Sequence, residues 1–108
     1  MTEHDLQDMI RCELSRMGFT VFRINVGNFY TKDERYIKSG VPRGFSDLFA
    51  VKDGRAYFIE VKVKPNKPTK DQLNFIDRMR ERGCVAGVAY SVEEAIKIVK
   101  GDINEQIY

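Results

Sequence analysis

The sequence predicts an α/β domain built on a mixed sheet with helices covering both faces, and three observations carry that expectation. Apolar residues recur at helical spacing in three stretches, each preceded by a residue suited to helix capping. Two apolar runs flank an Asp-Gly pair, the signature of a tight hairpin. A further short apolar run lies between the last two helical stretches. The order is helix, strand, loop, hairpin, helix, strand, helix.

Thr2 to Met17 reads as the first helix: Thr2 and Asp5 form a capping box, while Leu6, Met9, Ile10, Leu14 and Met17 recur on one side until Gly18 ends the run. Phe19 to Val26 favours a strand through Val21, Phe22, Ile24 and Val26, stopping at Gly27. Asn28 to Gly44 shows no clear periodicity and reads as a long loop, and a loop of that length in a small domain is more often functional than incidental. Asp47 to Lys52 and Arg55 to Val63 form the hairpin around Asp53-Gly54. Thr69 caps a helix from Lys70 to Arg82, whose apolar side is Leu73, Phe75, Ile76 and Met79 and whose C′ residue is Gly83. Cys84 to Tyr90 reads as a short buried strand. Ser91 and Glu94 then open, as a capping box, a helix through Lys100 that Gly101 closes. The tail after Asp102 carries no assignment.

At 108 residues the chain has room for one core of ordinary size, so residues 1–108 are expected to form a single domain. No window approaches the apolar length of a membrane span, and the start Met-Thr-Glu-His-Asp lacks the basic and apolar segments of a secretory signal. A cytoplasmic location is expected. Cys12 and Cys84 are far apart and outside any Cys-x-x-Cys spacing, so they read as buried reduced thiols. The net charge of +2 does not by itself identify a nucleic-acid partner. Its distribution is uneven: Lys62, Lys64, Lys67, Lys70, Arg78, Arg80 and Arg82 face only Asp71, Asp77 and Glu81 within one segment. Either a basic surface or a solvated helix face laced with ion pairs fits that segment.

The hairpin carries the chemistry. With a two-residue turn at Asp53-Gly54, Lys52 pairs with Arg55, and counting back along both strands puts Asp47 opposite Glu60. Cross-strand Cβ atoms are roughly 4.5 to 5.5 Å apart, and strand alternation puts Lys62 on the same face. Two facing carboxylates repel, which a bound divalent cation would relieve. A structural ion pair between Lys62 and either acid also fits, and residue spacing alone leaves both readings open.

Gly44-Phe-Ser-Asp47-Leu-Phe, Phe58-Ile-Glu60-Val-Lys62 and Thr69-Lys-Asp-Gln72-Leu-Asn-Phe75, with Arg23-Ile-Asn25-Val-Gly27, Glu3 and Gln7 ahead of them, resemble the VRR-NUC group of the PD-(D/E)XK nucleases. Ser46 stands where the superfamily motif has its proline. The resemblance implies a restriction-endonuclease-like fold and Mg²⁺- or Mn²⁺-dependent endonuclease activity, without a small-molecule cofactor. Asp47 and Glu60, with the backbone carbonyl of Val61, would bind the metal; Lys62 would position or help deprotonate the attacking water. Gln72 would orient the nucleophile or contact DNA, capping or solvation being its bland alternative. Glu3 matches the first-helix acid of the family and by that resemblance is a further candidate metal residue, lying near the terminus where helices fray. Glu13, on the apolar side of the same helix, is an alternative, more simply read as a carboxylate paired with a basic side chain, and His4 reads as solvated. Stand-alone proteins resembling this chain tend to be homodimers acting on branched DNA, including four-way junctions. That implies a structure-selective enzyme of the Holliday-junction-resolving kind, suited to DNA repair or recombination, or to the host-cell cytoplasm if the source is viral. Nicking, flap or restriction-like specificity, or a non-catalytic DNA-binding domain on the same fold, are the alternatives. DNA contacts would come from Arg23, Asn25, Tyr30, Arg35, Tyr36, Lys38, Arg43, Lys64, Lys67 and Lys70.

Overall fold

In the computed structural model, residues 1–25, 28–30, 32–38 and 40–101 are described, with residues 28–30 and 36–38 described by their backbone. Helix α1 spans Glu3–Arg16, strand β1 Thr20–Arg23, β2 Asn28–Tyr30, β3 Tyr36–Lys38, β4 Leu48–Lys52 and β5 Arg55–Val61, followed by α2 at Lys70–Glu81, β6 at Val85–Ala89 and α3 at Val92–Val99. The main sheet has the order β1-β4-β5-β6, antiparallel except for the parallel β5–β6 pair. This is the expected mixed sheet, and no described helix is long and apolar enough to cross a membrane.

Strand alternation divides the core. Tyr57, Ile59 and Val61 of β5 join Leu48 and Ala50 of β4 against Leu6, Ile10 and Leu14 of α1 and Ala95 and Ile98 of α3. On the other face, Phe58 packs with Phe75 and Ile76 of α2 and with Ala86 and Val88 of β6. Phe45, in the loop before β4, wedges between them, 4.6 Å from the Phe75 ring centroid and 5.7 Å from that of Phe58. Each fully buried Leu, Ile, Val or Phe among them contributes roughly 1.5–3 kcal/mol relative to exposure. Because β5 is covered on both faces, its sequence is a nearly continuous apolar run, and Glu60 interrupts it.

The helix ends follow the capping chemistry. Thr2 and Asp5 form a reciprocal capping box, as do Thr69 and Gln72. At α3 the expected box is half formed: Ser91 accepts the Glu94 N–H at 3.1 Å, but the Glu94 carboxylate reaches one residue further and accepts the Tyr90 N–H at 2.7 Å. The Asp53-Gly54 hairpin has the expected register, Lys52 opposite Arg55, with both turn residues at positive φ, 52° and 73°. Lys52 donates to the Met17 carbonyl at 2.8 Å, placing a cation at the C-terminus of α1.

Three differences from expectation exceed a single residue. The long loop contains an antiparallel pair, β2 with β3, in the register Phe29 opposite Ile37; strands of three residues are too short to display a period of two. The strand expected over Phe19 to Val26 is β1, ending at Arg23, with Val26 and Gly27 outside the described residues. The second hairpin strand ends at Val61 rather than Val63, although Lys62 N–H still reaches the Ala89 carbonyl at 3.1 Å. Cys84 is half-buried, but Cys12 is exposed, contrary to the expectation of two buried thiols. At two residues from Ile10 it falls on the helix face opposite the buried stripe of Leu6, Ile10 and Leu14.

Candidate active site

Asp47 lies one residue before β4, and its backbone turns toward β1: its carbonyl accepts the Ile24 N–H at 2.8 Å. The β4–β5 ladder stops at Leu48 opposite Ile59, one pair short of the predicted Asp47–Glu60 pair. The Asp47 side chain takes over where that ladder ends, Oδ2 accepting the Val61 N–H at 2.9 Å. The two acids are thus brought together, but through a side-chain bond to the strand and not through a cross-strand backbone pair.

Glu60 is only 1% exposed and Lys62 9%. Lys62 Nζ stands 3.7 Å from Glu60 Oε2, whereas Oε1 has no hydrogen-bond partner among the described residues. Burial, followed by the hydrogen bond and negative charge of Asp47, pushes the Glu60 carboxyl up to about 9; the Lys62 ammonium pulls it down and Glu3 adds to the rise. Lys62, 3.7 Å from Oε2, offsets only part of the rise that burial and Asp47 cause. With both acids ionised they can only accept, and Glu60 Oε1 is left buried without a donor. A proton shared with Asp47 relieves this, and so would a hard cation.

Asp47, Glu60 and the Val61 carbonyl are the oxygens that could hold such a cation. Among the described residues no cluster of three or more His, Cys, Asp or Glu side chains is arranged to hold a metal. A cation held by these oxygens alone would have to complete its shell with waters or substrate oxygens.

Glu3, in the first turn of α1, reaches the end of β5. Its Oε2 accepts from the Asn66 side-chain amide at 3.0 Å and from the Val63 N–H at 3.5 Å. Glu13 is half-buried on the same helix and pairs with Arg16 at 3.3 Å, in keeping with the simpler of its two readings. His4 is exposed, bonded through Nδ1 to Arg23 Nη1 at 2.7 Å and 3.4 Å from Asp8. Gln72 holds the start of α2, its Oε1 accepting the Thr69 N–H at 2.9 Å, and no described contact joins it to Asp47 or Glu60.

The predicted DNA contacts divide. Lys64 and Lys67 follow Lys62 on the exposed loop to α2, and Lys70 is exposed at its start. Arg23, Asn25 and Arg43 are exposed as well, and Arg35 pairs with Asp33 at 3.1 Å. The side chains of Tyr30, Tyr36 and Lys38 lie outside the described part of the structure.

Two further features shape this end of the sheet. Gly44, at φ +90°, lies so close to α2 that a Cβ there would overlap the Asp71 backbone, which fixes the loop before Asp47 against the helix carrying Gln72. Tyr90 donates its hydroxyl to the Asn66 carbonyl at 3.0 Å. The glycine was visible as a motif residue, but no periodicity or spacing marks Asn66 or Tyr90.

The family model of the VRR-NUC domain matches residues 1–93, most of the chain and every residue of the site just described. The chain belongs to the VRR-NUC domain family. A solved structure described as a VRR_NUC domain is 25% identical and superposes with a TM-score of 0.63, over 93% of this chain and 97% of the other. No curated protein matches the chain. The VRR-NUC assignment makes this a nuclease-type, DNA-processing domain on a restriction-endonuclease-like α/β fold.

Proposed function

We propose that this VRR-NUC domain is a Mg²⁺- or Mn²⁺-dependent endodeoxyribonuclease, acting as a homodimer on branched DNA, with four-way junctions as its substrate. The observation that carries the chemistry is Glu60: a carboxyl buried beside Asp47, with one oxygen unpartnered and a lysine at its other edge. Such a group is costly for the fold and useful to an enzyme.

In this reading Asp47, Glu60 and the Val61 carbonyl hold the cation, which when bound supplies Lewis-acid charge at the scissile phosphate and eases deprotonation of water. Lys62 orients the attacking water and offsets the charge that grows on the phosphate oxygens. Lys64, Lys67 and Lys70 grip flanking phosphates, while the exposed Arg23, Asn25 and Arg43, with the Tyr30, Arg35, Tyr36 and Lys38 segment, engage the branch. Gln72 donates its amide nitrogen to the nucleophile or to a phosphate oxygen. Junction preference is supported by the family resemblance and by symmetry, since a two-fold dimer presents two equivalent sites for two symmetric cuts.

The test is cleavage of a labelled four-way junction beside linear duplex and single-stranded DNA, with Mg²⁺, Mn²⁺ or EDTA, for the wild type and Glu60→Ala. Paired, metal-dependent cuts near the branch that vanish in the variant are expected. Metal-dependent cuts confined to flaps, nicks or linear duplex overturn the junction assignment, and cleavage that persists in Glu60→Ala overturns the site.

A further inference from the structure

The first turn of α1, held by the capping box of Thr2 and Asp5, straddles the end of the sheet at which Asp47 and Glu60 meet. Glu3 reaches the segment after β5, and the next residue, His4, reaches the other way, to Arg23 at the end of β1. Strand β4 runs between β1 and β5, and the end of β1 is tied to its start: Arg23 pairs with Leu48, and the Ile24 N–H bonds the Asp47 carbonyl at 2.8 Å. Arg23 Nη1 lies 2.7 Å from His4 Nδ1 and 3.1 Å from Nε2, and Asp8, one turn along the helix, stands 3.4 Å from Nε2. A neutral imidazole accepts through one ring nitrogen and donates through the other. The shorter contact assigns Nδ1 as the acceptor from Arg23, and Nε2–H then faces the Asp8 carboxylate.

What distinguishes Arg23 is the partner it takes. Arg11, Arg16 and Arg35 each pair directly with a carboxylate, that of Asp8, Glu13 and Asp33 respectively. Arg23 contacts no carboxylate among the described residues, although Asp8 stands beyond the same ring. An imidazole interposed between guanidinium and carboxylate fixes the arginine without cancelling its charge. The other N–H groups of this exposed fork stay open to an anion.

We propose that His4 is a positioning residue for DNA: its imidazole holds the Arg23 guanidinium at the site end of β1, aimed at a backbone phosphate of the strand that passes Asp47. The inference rests on the nuclease reading above, in which Arg23 meets DNA, and adds the residue that sets its direction. A planar guanidinium meets a phosphate through two parallel N–H groups, so its orientation matters as well as its charge. On a long exposed side chain that orientation is spread over many rotamers, and fixing it before DNA arrives removes part of the ordering cost of binding. Asp8 supports the arrangement from behind, since accepting from Nε2–H selects the tautomer whose Nδ1 can accept from Arg23. His4 contacts neither Asp47 nor Glu60 among the described residues, so its effect reaches DNA through Arg23.

The experiment is equilibrium binding of a labelled four-way junction and a linear duplex, in EDTA and over a range of salt, by wild type, Arg23→Ala, His4→Ala, His4→Gln and the double variant His4→Ala/Arg23→Ala. Thermal unfolding of each without DNA is the folding control. Arg23→Ala removes a phosphate contact, so the slope of log affinity against log salt should become shallower by about 0.9. His4→Ala keeps that charge and should weaken binding roughly five-fold with the slope unchanged. A glutamine carbonyl can accept from Arg23 in place of Nδ1, so His4→Gln should stay within about two-fold of wild type. The double variant should lose no more than Arg23→Ala alone, because His4 acts only through the guanidinium. Wild-type affinity in His4→Ala, failure of His4→Gln to restore binding, or additive losses in the double variant overturns the inference. So does a His4→Ala protein whose lost affinity is matched by its unfolded fraction, which would make the contact a latch between α1 and β1. Unchanged affinity and slope in Arg23→Ala overturns the DNA-contact reading of Arg23 and the inference with it, so the two failures are told apart.

Discussion

The Asp47 carboxylate accepts the main-chain N–H of Val61 at 2.9 Å, so the acid that opens the site also ends the β4–β5 ladder. Asp47→Asn keeps an acceptor for that N–H, and Asp47→Ala removes it. Both substitutions delete the charge, so their difference isolates the hydrogen bond. Urea unfolding should find the alanine variant less stable than the asparagine variant by about 1–3 kcal/mol, and both should fail to cleave. Equal stabilities would show that water replaces the side chain without loss.

Glu60 ties stability to pH. Its carboxyl sits at about 9 in the folded chain and near 4.5 in the unfolded one, so between these values the folded state retains a proton that the unfolded state releases. The favourable contribution is fully present below the unfolded value and is lost as pH rises toward 9. Metal-free wild type should therefore lose stability from pH 5 to pH 9 more steeply than Glu60→Gln, by on the order of a few kcal/mol. Parallel pH profiles of melting temperature for the two proteins would contradict this. Cation binding, which needs the ionised carboxyl, should tighten across the same interval and release a proton, measurable by calorimetry in buffers of different ionisation enthalpy.

Gly44 and Gly54 both have positive φ, but only Gly44 faces a neighbour. Gly54→Ala should cost about 1 kcal/mol from backbone strain alone. At Gly44 the added methyl also meets the Asp71 backbone, and the cost should exceed that of Gly54→Ala by at least about 1 kcal/mol. Chemical unfolding of the two variants side by side measures the difference, and a Gly44→Ala cleavage defect larger than its stability defect would show α2 displaced from the site.

Lys52 is remote from the chemistry and central to the fold. Its ammonium bonds the Met17 carbonyl and lies 5.0 Å from the centre of the Phe19 ring. Lys52→Met keeps the stem and removes both interactions, so thermal unfolding should register a loss of about 1–2 kcal/mol with cleavage per folded molecule unchanged. A fall in cleavage per folded molecule would show instead that the anchoring of α1 to β4 shapes the site.

The legible parts of this chain are those with short-range causes. The Asp53-Gly54 turn sets its register by backbone conformation alone, and counting from it placed Asp47 and Glu60 together even though the last rung is made by a side chain. The capping boxes at Thr2 and Thr69 likewise follow from local chemistry. The same logic overextended at Ser91, where Glu94 bonds Tyr90 in place of the cap residue. What sequence spacing could not carry was tertiary: Asn66 meets Glu3 across 63 positions, and Tyr90 meets Asn66 across 24. Nothing local distinguishes Asn66 from any loop asparagine. The β2–β3 pair escaped for a different reason, each strand being shorter than the pattern needed to recognise it.

Because Glu60 is on β5, flanked by β4 and β6 and covered by helices on both faces, its surroundings can loosen only when the whole sheet comes apart. Amide hydrogen exchange at Glu60 and Val61 should then proceed at the rate of global unfolding, whereas amides in the first turn of α1 exchange through local fraying. Exchange along β5 and in the first turn of α1 would therefore time two different events, the parting of the whole sheet and the fraying of one helix end.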